Sequence, residues 1–96
     1  MAGENGSYTH VNANTAGQTI SPNSGAILKR VVINTAGAAG NTLTIFDGTS
    51  TGGKVIGVVN TTNAAVPSLD YNVVASSGIF ITLATGTAAD LTFVYQ

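Results

Sequence analysis

The feature that most limits what this chain can fold into is the shortness of its apolar runs. They are rich in Val, Ile, Leu and Phe, and each is stopped by Gly, Pro, Asn, Asp or Ser before a helix could be completed. None repeats at the helical spacing of 3.6 residues. Alternating runs separated by turn residues at roughly 8–12-residue intervals are the pattern of an all-β sandwich or barrel.

The spacing predicts strands over 7–12, 18–21, 26–34, 42–46, 54–60, 69–73, 79–84 and 90–96. Turns are expected at 14–17, at Pro22-Asn23-Ser24-Gly25, at Asp47-Gly48 and at Ser76-Ser77-Gly78, where a fixed φ or a tolerated positive φ reverses the chain. Gly57, inside the run Val55-Ile56-Gly57-Val58-Val59, marks a bulge or a close backbone approach. The expected fold is an all-β, small antiparallel β-sandwich of about seven or eight strands, with a jelly-roll-like topology among the candidates and its connectivity left open. Residues 1–7 are expected to be a flexible N-terminal arm, and residues 8–96 a single domain.

Strict alternation would place Ile27, Lys29, Val31 and Ile33 on one face of a strand, and Leu28, Arg30, Val32 and Asn34 on the other. Several strands are apolar on both faces: Val31 beside Val32, Val55 beside Ile56, Ile79 beside Phe80, Phe93 beside Val94. A sandwich buries only one face of each sheet. The other set must be exposed, covered by the arm, or buried against another subunit. From it the candidate interface residues are Phe46, Phe80 and Val32, with the dibasic pair Lys29 and Arg30 beside them. The plainer reading is scattered surface apolar residues and a solvated, edge-guarding dibasic pair.

Charge narrows the function classes. Only 7 % of residues are Asp, Glu, Lys or Arg, against about 25 % in an ordinary domain. With Lys29, Arg30 and Lys54 as the only cations, there is no basic field to neutralise phosphates, so no nucleic-acid partner is expected. No apolar stretch is long enough to span a bilayer, and the first residues lack the pattern of a signal peptide, so no membrane partner is expected and synthesis in a cytoplasm is. Thr, Ser, Asn and Gly make up 42 of the 96 residues. A nearly uncharged surface of small polar groups has little repulsion to keep copies apart, which suits a homo-oligomer.

No constellation points to catalysis. His10 is the only histidine and no cysteine is present. A triad needs a histidine beside both a nucleophile and a carboxylate, and nothing around His10 resembles a nucleophile elbow. Asp47, Asp70 and Asp90 are each alone in their segments, unlike the dense acidic loop of a calcium site. The glycine-rich segments at 36–40 and 48–53 lack the Gly-Lys-Ser/Thr of a phosphate cradle. The expectation is no enzyme, no metal, no cofactor and no small-molecule substrate. Tyr8, Tyr71 and Tyr95 are the only tyrosines; sugar-binding sandwiches display aromatic platforms, whereas core packing is the plainer role.

A resemblance extends this reading. The stretches Leu28-Lys29-Arg30-Val31-Val32-Ile33-Asn34, Asn41-Thr42-Leu43-Thr44-Ile45-Phe46-Asp47-Gly48-Thr49, Val55-Ile56-Gly57, Gly78-Ile79 and Ala84-Thr85-Gly86-Thr87-Ala88-Ala89-Asp90-Leu91-Thr92-Phe93-Val94-Tyr95 resemble small β-rich virion proteins of tailed bacteriophages, most of all capsid decoration, or cement, proteins. The resemblance covers residues 26–96. It implies a structural protein on the capsid exterior, present in many copies, with the major capsid protein as partner and a homotrimer or homodimer as its state. The other readings carried forward are a phage tail, fibre or baseplate β-domain and a carbohydrate-binding module.

Overall fold

The computed structural model describes residues 6–62 and 67–96. They form eight strands: β1 (Ser7–Val11), β2 (Thr15–Ser21), β3 (Ala26–Thr35), β4 (Thr42–Asp47), β5 (Lys54–Asn60), β6 (Ser68–Ala75), β7 (Ile79–Ala84) and β8 (Asp90–Tyr95). The described residues hold no helix long and apolar enough to cross a membrane. Of the expected arm, residues 1–5 lie outside the described residues, and Ser7 already opens β1.

The pairing has a simple logic. β1 pairs with β8, β2 with β7, β3 with β6 and β4 with β5, all antiparallel. The chain is therefore one long hairpin folded over on itself. Two further antiparallel pairs, β3·β8 and β4·β7, join its layers. The result is two four-stranded sheets, sheet I in the order β1-β8-β3-β6 and sheet II in the order β2-β7-β4-β5. This is the strand order of a jelly roll, in which two Greek keys wrap into facing sheets.

The core lies between the sheets. Leu28, Val31, Leu91 and Phe93 enter it from sheet I, and Leu43, Ile45, Ile79, Ile81 and Leu83 from sheet II, all fully buried. Each such side chain contributes roughly 1.5–3 kcal/mol relative to exposure. In β4, β7 and β8 the inward positions follow the expected alternation.

β3 does not follow it, and this corrects the face assignment above. Leu28 and Val31 both point inward, because the register of β3 shifts between Leu28 and Arg30 against both neighbours. A bulge adds a residue and reverses the phase of everything beyond it. Ile27 is thereby on the outer face, not with Val31 and Ile33, and neither Lys29 nor Arg30 joins the core. On the paired strand, Asn72 adopts φ 52°, a left-handed conformation that Asn tolerates better than most residues. Tyr71 beside it turns inward against the core and reaches across to β5. A Cβ on Gly57 would lie 2.5 Å from the Tyr71 hydroxyl, so the glycine is there because the ring needs its space. The register also shifts next to Gly57, between Ile45 and Phe46 of β4. The expected turn at 14–17 is corrected as well: Thr15 to Gly17 belong to β2, irregularly paired to β7.

Both ends of β4 hold the sandwich together. At one end Asn14, Thr61, Thr85 and Ala89, from several loops, converge on Asn41, which is fully buried. Its Nδ2 donates to Asn14 Oδ1 and to the Thr85 carbonyl, both at 2.9 Å. Its Oδ1 accepts from Thr61 Oγ1 at 2.6 Å and from the Ala89 amide at 3.1 Å. Gly37 is packed so closely here that a Cβ would sit 2.6 Å from Thr61 Oγ1. At the other end the Asp47 carboxylate accepts from the Ser77 amide at 2.8 Å, the Ser76 hydroxyl at 2.9 Å and the Ser76 amide at 3.1 Å. These bonds, the one from the Ser77 amide foremost, hold the Asp47 carboxyl below its ordinary value.

Candidate functional site: the outer faces of the two sheets

The two outer faces differ in chemistry. On sheet I the outward residues include Tyr8 and His10 of β1, Arg30 and Val32 of β3, Asp70 and Val74 of β6, and Thr92 and Val94 of β8, with Asp90 at its rim. Arg30 Nε stands 3.6 Å from Asp70 Oδ1, both well exposed. The His10 ring nitrogen Nε2 and Asp90 Oδ1 share a hydrogen bond. Asn34 Nδ2 donates to the same Asp90 oxygen at 3.2 Å and to Thr92 Oγ1 at 2.9 Å. The bonds from His10 and Asn34 lower the Asp90 carboxyl from its ordinary value.

On sheet II the registered rows run Thr19–Phe80–Phe46–Val55, then Thr82–Thr44–Val58, then Ala84–Thr42–Asn60. Within its strands the only charged residues are Asp47 and Lys54, which face each other at one end of the sheet. The rest of this outer face is uncharged. Phe46 and Phe80 lie side by side, ring centroids 6.2 Å apart and tilted at 60°. The Phe80 ring also packs over Gly17 of β2. Mutual cover leaves Phe46 only 8 % exposed. The apolar surface open to solvent belongs instead to Val55, 55 % exposed, and Val58, 65 % exposed, on the edge strand β5.

The five sequence-predicted interface residues therefore do not form one patch. Phe46 and Phe80 sit on the outside of sheet II, with Phe46 nearly buried. Val32 and Arg30 sit on the outside of sheet I, across the sandwich, and Lys29 is half-buried in the β3 bulge with its stem near Gly6. Sequence reasoning missed Val55 and Val58 as a pair. Plain alternation separates them; the bulge beside Gly57 brings both to the outer face. It also missed Tyr8, 73 % exposed, and Val74, 66 % exposed.

Thr9, the sequence neighbour of His10, hydrogen bonds through Oγ1 to the Tyr95 hydroxyl at 2.9 Å, not to the histidine. Among the described residues no three His, Asp or Glu side chains gather as metal ligands would. A shallow depression beside the Asn41 end is lined by Asn14, Thr15, Ala16, Leu83, Ala84 and Thr85, none of them charged.

Comparison with known proteins adds no relative: no protein-family model matches the chain. No curated protein matches it either.

Proposed function

We propose that this protein is a structural component of a tailed-phage virion, decorating the capsid exterior and stabilising it by bridging major capsid subunits. The observation that carries the proposal is the outer face of sheet II: charged only at the end where Asp47 meets Lys54, with Val55 and Val58 open to solvent. Such a face loses little on desolvation when it is covered, and it opposes no like charges. The likeness of residues 26–96 to small virion proteins supports the same reading. Jelly rolls serve in viral capsid domains, and equally in lectins, so the fold by itself selects neither.

The mechanism is avidity. One small face binds weakly, but linked copies engage several capsid subunits at once, and the combined affinity far exceeds that of one contact. Ligands that bind only the assembled shell stabilise it by mass action. The test is co-sedimentation of the purified protein with capsids that lack it. Saturable binding at a fixed copy number per capsid supports the proposal, and the number reports the symmetry of the sites. Binding to tails and not to capsids would move the protein to the tail, fibre or baseplate; binding to neither would reject the virion reading.

One observation favours a second reading. Tyr8 projects from sheet I, 73 % exposed, on the same face as the His10–Asp90–Asn34–Thr92 hydrogen-bonded chain. A pyranose ring stacks its C–H bonds on the negative face of such an aromatic ring. Glycan-dependent tyrosine fluorescence, abolished by Tyr8→Ala, would favour a carbohydrate-binding module; no response to a broad glycan set would dismiss it.

A further inference from the structure

Four strands stand at sheet edges: β1 and β6 in sheet I, β2 and β5 in sheet II. Edge strands offer unpaired N–H and C=O groups to any extended chain, and proteins commonly guard them with charge, bulges or brevity. β1 carries His10 on its outer face, bonded to the Asp90 carboxylate. β2 has two register shifts against its partner. β6 carries Asp70 on its outer face, and its regular run is interrupted at Asn72, φ 52°. β5 is the least guarded. Its one register shift lies near its start, so Gly57, Val58, Val59 and Asn60 run in unbroken register with β4. Its single charge, Lys54, is its first residue.

We propose that β5 is a self-association edge and that its occupant is the β5 of a second copy of this chain. This deepens the homo-oligomeric part of the function proposed above by naming the surface, and it does not depend on where the protein sits on a virion. An antiparallel two-fold pairing centred on Val58 sets valine against valine and extends the row Thr82–Thr44–Val58 across the junction. It turns two four-stranded sheets into one eight-stranded sheet, with both nearly uncharged outer faces on the same side.

Electrostatics permit this pairing. Lys54 lies four residues from Val58, so the two lysines end about 27 Å apart along paired strands, at roughly 3.4 Å per residue. That is several times the ~8 Å screening length at physiological salt. The same operation on β6 would bring a second Arg30–Asp70 pair to the junction.

Size sets the strength. The molecule measures 37 × 30 × 17 Å, so its side offers at most roughly 600 Å², below the ~800 Å² per partner of a standard stable interface. The dimer is accordingly weak in dilute solution and populated where copies are held close together.

Sedimentation equilibrium of the full chain tests this, run from about 10 μM to about 1 mM, the range suited to an interface below standard size. The expected result is a weight-average mass that rises from 9.6 kDa toward twice that value. Val58→Lys should weaken association at least about tenfold, while Val74→Lys, on the other sheet, leaves it unchanged. Both residues are exposed, and thermal melts check that each variant is folded. A wild-type monomer throughout the range overturns the proposal, as does a dimer indifferent to Val58→Lys. Association without capsid binding would refute the decoration role alone; capsid binding by a strict monomer would refute this edge alone.

Discussion

On the outside of sheet I, Arg30 faces Asp70 and Asp90 is held by His10 and Asn34. On the outside of sheet II the corresponding positions are Thr42, Thr44, Thr82, Val55 and Val58, with Phe46 and Phe80 covering one another. Both sheets put Leu, Ile, Val or Phe side chains into the same core. What distinguishes them is the desolvation that a partner would impose. Covering sheet I means dehydrating carboxylates and a guanidinium, whereas covering sheet II displaces water from valine and threonine. One sandwich thus presents an outer face that carries ion pairs beside its exposed Tyr8 and Val74, and an outer face nearly free of charge.

Beyond the shared core, Asn41 ties residues from several loops together at one end of the sandwich. Asn41→Ala strips the Ala89 amide of its side-chain acceptor and leaves the Thr85 carbonyl and Asn14 Oδ1 without this donor, while the Thr61 hydroxyl keeps the Asn41 backbone carbonyl. Each orphaned buried group costs about 1–3 kcal/mol. The expected loss is about 3 kcal/mol, which lowers Tm by about 10–20 °C in a domain this small; a calorimetric scan measures it. A change of only a few degrees would mean that the loops are held by something other than this side chain.

Next in size is the contact between the edge strands. Gly57→Ala drives a methyl group against the Tyr71 hydroxyl and ring. Overpacking of this kind costs about 1–3 kcal/mol. Tyr71→Phe in the same chain should recover part of the loss by removing the hydroxyl, and a double-mutant cycle by urea unfolding reads the coupling. Simple additivity of the two changes would contradict the packing described here.

Acid should act at one end of each sheet and spare the middle of sheet II. The Asp90 and Asp47 carboxyls are both lowered from an ordinary value of 3.8. A group with a depressed folded pKa stabilises fully above its unfolded value and loses that contribution as the pH falls through its folded value. Stability should therefore be flat above the carboxylate range and decline below it. Asp90→Asn and Asp47→Asn should each reduce the slope. NMR below pH 4 should show shifts around His10 and Asn34, and at Ser76 and Ser77, while the resonances of Thr44, Val58 and Thr82 stay in place.

The smallest effect belongs to the Arg30–Asp70 pair. Both side chains are more than half exposed, 53 % and 65 %, and such pairs contribute about 0.2–1 kcal/mol, less in salt. Asp70→Asn should change stability by less than about 1 kcal/mol, and added salt should erase the difference.

Much of this architecture is written in the sequence. The alternation of Leu43 and Ile45, of Ile79, Ile81 and Leu83, and of Leu91 and Phe93 marks the inward faces of β4, β7 and β8. Asp47-Gly48 and Ser76-Ser77-Gly78 mark their turns, although the Asp47 side chain ties down the second turn in addition to ending its own strand. Of the two readings Gly57 allows, a bulge or a close backbone approach, the structure shows the bulge, and what fills the space beside the glycine is the Tyr71 side chain. The strand order was not legible, because pairs such as β1·β8 join residues some eighty positions apart, and local pattern carries no record of that. The bulge in β3 was hidden because Ile27, Val31, Val32 and Ile33 are apolar on either phase, so a slip of one residue leaves the pattern looking the same. The same ambiguity concealed Val55 and Val58 as one exposed pair. Asn41 was invisible as a hub, since a buried asparagine and a loop asparagine read alike.

The most direct test of the central claim, that the outside of sheet II and not of sheet I engages a partner, is capsid co-sedimentation of matched variants. Val55 and Val74 are similarly exposed, 55 % and 66 %, on opposite faces. Val55→Lys should raise the concentration for half-saturation at least about tenfold, the loss of about 1.4 kcal/mol, while Val74→Lys binds like the wild type. Equal binding by both variants, or loss confined to Val74→Lys, would contradict the account.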